Sequence, residues 1–167
     1  MTFYVLVAME LKTRKVEVAG ITTNPNTAWI TQVTRELTNL EDGFLRNSSH
    51  LILDRDTSFR PLRTYLNEFT KVKPVLLPPK SPNLNCYIER FFRSLKSECL
   101  ERMIFFGEKP LHRAVAVFVE HYHTERNHQG LDNQIIEPAD EVGQVAGKIG
   151  CRKRLGGMLK YDHRDAA

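Results

Sequence analysis

His50-Leu-Ile-Leu-Asp-Arg-Asp-Thr-Ser-Phe59 is the stretch on which the reading of the fold turns. Its short apolar run stops on a carboxylate, Asp54, as a buried strand does when it delivers an acid to the edge of its sheet. Downstream, Leu62, Tyr65, Leu66 and Phe69 recur at helical spacing, which predicts a short helix over about residues 61 to 69. Val72 to Leu77 is a second strand-like run. Pro78, Pro79 and Pro82 end it, because proline has no amide proton to give to a ladder or a helix.

Working outward, the pattern turns helical again from Asn85. Ile88, Phe92, Leu95 and Cys99 share one face, and Glu89, Arg93 and Lys96 share an adjoining one, so one side packs and the other offers charge. Before the central stretch, Phe3 to Leu11 and Val16 to Ile21 read as a β-hairpin. Asn24-Pro-Asn-Thr27 then supplies turn and N-cap chemistry for a helix bearing Ala28, Trp29, Val33, Leu37 and Leu40, which runs to Asp42-Gly43 and buries the only tryptophan. After Gly107, Leu111, Val115, Phe118, Val119 and Tyr122 give a further amphipathic helix. Beyond about residue 147, glycine-rich and basic sequence weakens any assignment of helix or strand. The order implies an α/β fold, a mixed sheet with helices packed on it, occupying residues 1–146, followed by a basic tail over 147–167.

At 167 residues, 41% hydrophobic and 26% charged, the chain is long enough for one ordinary domain with a real core. Lys and Arg number 24 against 20 for Asp and Glu, a net charge of +4 that leans mildly toward polyanionic partners. The most apolar stretch, Phe3 to Met9, is too short to span a bilayer and has no cleavable-leader pattern before it, so a cytoplasmic protein is expected. Cys86, Cys99 and Cys151 form no CxxC pair, which argues against a disulfide framework or a thiolate zinc knuckle and makes the first two expected buried thiols.

Four segments together resemble the catalytic core of retroviral-integrase-like DDE transposases and integrases. Leu53-Asp-Arg-Asp-Thr-Ser-Phe59 is similar to their strand-end Asp-Asn-Gly-x-x-Phe motif. Ser81-Pro-Asn-Leu-Asn-Cys-Tyr-Ile-Glu-Arg90 is similar to the Pro-x-x-Asn-x-x-x-Glu-Arg motif that opens their catalytic helix, and it places Glu89 at the family's spacing from Asp54. Val7 to Arg14 resembles the family's second strand and turn, and His121 to Leu131 its closing Tyr-Asn-x-x-Arg-Pro-His-x-x-Leu segment. The likeness covers residues 3 to about 140. Each motif is weak alone; the signal is their joint order and spacing.

The resemblance implies an RNase-H-like fold and a DNA strand-transferase activity that cuts and joins phosphodiester bonds. Two metal ions roughly 3.5 to 4 Å apart can serve the attacking and leaving oxygens of such a displacement. Mg²⁺ takes one or two carboxylates plus substrate oxygens, and Mn²⁺ has similar tastes. Asp54 and Glu89 would be the catalytic, metal-binding carboxylates. Asp56 competes with Asp54, but counting back from Phe59 as the motif does lands on Asp54. The plainer readings are a solvated turn aspartate for Asp54 and a first-turn glutamate favoured by the helix dipole for Glu89.

Family members carry a first aspartate on a strand upstream of the match to Phe3, and no residue here takes that place. Glu10 aligns with an acid outside the family's metal set. The expectation is therefore a core that lacks its first strand and is inactive or unstable alone, from either an open reading frame that starts upstream or a decayed mobile-element gene. A complete protein would act as a homo-oligomer on paired DNA ends. The alternatives are a non-enzymatic transposase remnant or DNA-binding protein, and a plain ribonuclease of the same superfamily.

For DNA, the candidates are Lys80 and Asn85 in the loop before the catalytic helix, Arg90, Arg93 and Lys96 along it, and Arg126 in the closing segment. Ser81 and Asn83 share that loop, and Asn85 could equally be a helix N-cap. His121, His123 and His128 invite a zinc reading, but no cysteine pair or HExxH supports it. Lys148, Arg152, Lys153, Arg154, Lys160 and Arg164 make the tail either a DNA-contacting extension or a soluble end.

Overall fold

The computed structural model describes residues 1–79, 82–140, 142–143 and 146–164. The chain separates into two compact units, Met1–Ala8 with Glu17–Cys86, and Met9–Val16 with Tyr87–Ala167. The content is mixed α/β, and among the described residues the strands lie in three two-stranded sheets rather than one continuous sheet.

In the first unit, strands β1 (Tyr4–Met9) and β2 (Val16–Thr22) pair. A connection as short as theirs permits only the antiparallel arrangement. Helix α1 covers Thr27–Leu37, with the Asn26 side chain accepting from the Trp29 N–H. It is shorter than its sequence pattern suggested. The Thr38 hydroxyl turns back onto the Thr34 carbonyl, and the chain reverses so that Leu45 N–H donates to Leu37 O. Gly43 permits that reversal, since a Cβ there would sit 2.5 Å from the Asn39 backbone. The buried residues of α1 are Ile30, Val33, Thr34 and Leu37, while Leu40 is exposed beyond the helix and Trp29 only partly buried.

Strand β3 (His50–Leu53) pairs in parallel with β4 (Lys73–Leu76), in the register Ile52 to Val75 and Leu53 to Leu76. Helix α2 (Arg60–Phe69) connects them, burying Leu62 and Leu66 while Phe69 stays exposed. Ala8 of β1, Leu53 of β3 and residues of α1 and α2 share one hydrophobic cluster. Among the described residues, each strand of the two pairs has one unpaired edge.

In the second unit, helix α3 (Cys86–Glu98) packs through Phe91, Leu95 and the following Cys99. The buried face is thus centred on Phe91, with Ile88 and Phe92 at its half-buried margins. Cys86 is exposed, contrary to the expected burial, because the first turn of α3 carries no packing face there. Helix α4 (Glu108–Thr124) buries Leu111, Ala114, Val115, Phe118 and Tyr122, and Phe91 meets Tyr122 edge-on at 5.0 Å. Strands β5 (Ile149–Arg154) and β6 (Leu159–Arg164) form an antiparallel hairpin where the sequence suggested no regular structure. Its glycines lie in the turn and at the edge, so the alternation of Gly150, Arg152 and Arg154 toward the protein survives.

Candidate active site

Asp54 follows the last residue of β3 directly. The parallel pairing continues to Leu77, whose N–H donates to Leu53 O at 3.0 Å, so the acid emerges at the carboxyl end of a parallel pair, where α/β sheets bind ligands. Arg55 turns back to donate from Nε to Leu77 O at 2.7 Å and pins the backbone beyond the acid. Leu53 is buried beneath it and Asp54 itself is exposed. Among the described residues its carboxylate has no hydrogen-bond or ion-pair partner.

Asp56 is differently placed. Its side chain accepts the Ser58 N–H at 2.8 Å and caps the turn Thr57–Phe59, and that bond holds its carboxyl below the usual range. One of the two neighbouring aspartates is therefore occupied with local structure and the other is not.

Glu89 sits in the first turn of α3, exposed and likewise without a partner among the described residues. Arg93 is spaced four residues on, as an ion-pair partner would be, yet among the described residues it makes no ion pair. Arg90, Arg93 and Lys96 are exposed along the same helix. Asn85 ends the short 3₁₀ turn Pro82–Asn85 that runs into α3. Lys80 and Ser81 lie outside the described residues, as does the side chain of Asn83.

Arg126 lies further along the second unit and is already paired: its guanidinium contacts both oxygens of Glu98, at 2.8 and 2.6 Å. The three histidines are also engaged. His121 Nδ1 meets Glu125 at 2.7 Å, His123 Nε2 accepts the Val16 N–H at 3.0 Å, and His128 Nε2 donates to Tyr122 O at 2.8 Å. Burial lowers the pKa of His123 and of His128. Among the described residues no group of three or more His, Cys, Asp or Glu is assembled to hold a metal. In kind, the free carboxylates suit a hard divalent ion, which prefers oxygen donors.

Two features escaped the sequence. Glu125, whose side chain is wholly buried, receives His121, Arg152 and Arg154, and Arg154 also reaches Glu120 at 2.9 Å. Burial pushes the Glu125 carboxyl up, but the hydrogen bonds from Arg154, His121 and Arg152 outweigh it and set the pKa at about 2. The second is Arg14, whose guanidinium lies 3.5 Å over the Tyr87 ring. Nothing local hinted at either: the arginines that meet Glu125 lie 27 and 29 positions along the chain.

Residues 70–135 match the family of the integrase core domain. The matched stretch contains β4, α3 with Glu89, and α4, and it supports an integrase-like core in that part of the chain. Asp54 lies before it. Integrase cores act on DNA and are generally dependent on divalent metal. No curated protein matches the chain. No helix among the described residues is long and apolar enough to cross a membrane.

Proposed function

We propose that the chain is the core of a mobile-element DNA strand-transferase, working in the cytoplasm by two-metal cleavage and joining of phosphodiester bonds. The observation that carries this reading is Glu89: it lies inside the matched integrase stretch, exposed and without a partner among the described residues, on a helix whose outer face also bears Arg93 and Lys96. Asp54 joins it on the strength of its free carboxylate at the end of a parallel strand. Each of these acids would be a ligand for Mg²⁺, or Mn²⁺ in its place, which would supply polarisation of the phosphate and activation of the attacking oxygen. Lys80, Asn85, Arg90, Arg93 and Lys96 would position the DNA backbone, with Arg126 contributing whatever donors its Glu98 pair leaves exposed.

The proposed fold is RNase-H-like over residues 1–146. The unjoined β1–β2 and β3–β4 sheets, which share one core in the first unit, support that reading. On this account the protein acts as a homo-oligomer.

The test is a nuclease assay with Mn²⁺ on a version extended upstream. Cleavage that disappears in both Asp54→Ala and Glu89→Ala supports the assignment, and robust cleavage retained in both sinks it. DNA binding without cleavage in the extended protein would favour a non-enzymatic remnant.

A further inference from the structure

We propose that Arg14, on the turn between β1 and β2, is a contact for the DNA phosphate backbone, held in place by the ring of Tyr87 and extending the basic face of α3. This rests on the DNA-processing reading above. The turn and α3 from Tyr87 onward belong to the same compact unit.

The first observation is conformational. Arg14 has φ 63°, in the left-handed region where a Cβ is crowded and where turns ordinarily place glycine or asparagine. Its N–H donates to Glu10 O at 2.8 Å and closes the turn, a bond that glycine would make equally well. An arginine at this position carries a steric cost that its backbone role does not explain, and such outliers gather where a side chain is needed.

The second observation is where that side chain goes. The guanidinium carbon lies 3.5 Å from the centroid of Tyr87, a distance that stacks the planar group on the ring. Stacking occupies the faces of the guanidinium and leaves its N–H edges available, the geometry that grips phosphate oxygens in pairs. Among the described residues Arg14 has no carboxylate partner.

The third is the company it keeps. Arg90 stands three residues from Tyr87 on α3, hence on the neighbouring strip of the helix, and is exposed and also without a carboxylate. Burial raises the Tyr122 pKa and the charges of Arg126, Arg14 and Arg90 lower it, so all three guanidinium groups lie within electrostatic reach of one phenol. Glu98 neutralises only Arg126. At 100° per residue, Lys96, Arg93 and Arg90 follow one another around the exposed arc of α3 toward Tyr87, and Arg14 adds a further cation at the end of that band. A row of uncompensated cations along a helix fits a duplex backbone, which carries one charge about every 1.7 Å of its axis.

A simple clamp between turn and helix is the competing role, and salt dependence separates the two. Binding of the full chain to a duplex is measured by fluorescence anisotropy over a range of salt, with the melting temperature recorded for each variant. Arg14→Gly suits the left-handed backbone, and Arg14→Gln keeps the side-chain length and removes only the charge. Either is expected to weaken binding several-fold and to reduce the slope of log K against log salt by about 0.9, one phosphate contact. Lys12→Ala, in the same turn, is expected to keep the wild-type slope. A folded Arg14 variant with wild-type slope and affinity overturns the proposal, whatever its melting temperature. If the wild-type chain binds no duplex, the DNA-processing reading and this inference fall together; if it binds and the Arg14 variants match it, only Arg14 is misassigned.

Discussion

Arg154 grips Glu125 with two nitrogens: Nε lies 3.0 Å from both carboxylate oxygens and a terminal nitrogen lies 2.8 Å from one of them. The acid is at the end of α4, with its side chain fully buried, and the base is on the last residue of β5. Arg152 reaches the same carboxylate at 3.1 Å, so two of the basic groups that sequence alone would offer to DNA face inward and fasten the hairpin to α4. Lys153 and Lys160, paired across the strands, keep the outer face.

Removing one member of such a group leaves buried charge uncompensated, at a typical cost of about 3–5 kcal/mol. Glu125→Ala is therefore expected to lower unfolding free energy by about that much in urea melts. It should also open residues 149–164 to limited proteolysis. A loss below about 1 kcal/mol would mean that the buried carboxylate does not hold the hairpin.

Acid should unfold the protein in two stages. His123 and His128 have folded pKa values lowered by burial, so the unfolded chain takes their protons first and stability falls as pH drops below about 6.5. Protonating His123 at Nε2 also breaks its bond to the Val16 N–H, while Glu137 nearby favours the charged form and Lys15 opposes it. Glu125 runs at about 2 against an ordinary 4.5; its contribution is whole above the higher value and disappears as pH falls through the lower. Melting temperature followed from pH 8 to 2 should show both declines, and His123→Gln should flatten the first. A curve level from pH 7 to 5 would contradict the histidine assignment.

Much of this organisation was legible in the chain. Proline punctuation and the apolar runs at His50–Leu53 and Lys73–Leu76 located both parallel strands and the helix between them, because strand and helix periods are local properties. The hairpin at 149–164 was not legible, since what fastens it is a buried acid at Glu125, distant in sequence. Nor was the end of α1, where a Thr38 hydroxyl and the return of Leu45 override a continuing apolar pattern. At the candidate site, spacing separated Asp54 from Asp56 only by analogy. The Ser58 cap supplies a physical distinction that no counting could.

That distinction is testable by itself. Asp56→Ala removes a cap and is expected to cost about 0.5–2 kcal/mol, with little effect on Mn²⁺-dependent cleavage by an extended protein once folded. Asp54→Ala should do the reverse: its exposed, unpartnered carboxylate contributes within about 0.5 kcal/mol to stability, and cleavage should vanish. Loss of cleavage in Asp56→Ala at a temperature where the variant is fully folded would exchange the two roles.

The cations of the second unit should differ according to whether they are already neutralised. Arg93 and Lys96 are exposed and unpaired among the described residues, so replacing either by alanine should lower the salt slope of DNA binding by about 0.9. Arg126 shares its charge with Glu98 in a half-buried, two-oxygen pair, and its replacement should change the slope less while costing more stability. Replacing Glu98 by glutamine offers the complementary arm, because it frees Arg126 and should steepen the slope of an otherwise wild-type chain. Equal slopes for Arg126→Ala and Arg93→Ala would show that the ion pair opens when DNA arrives and that Glu98 does not restrain the arginine.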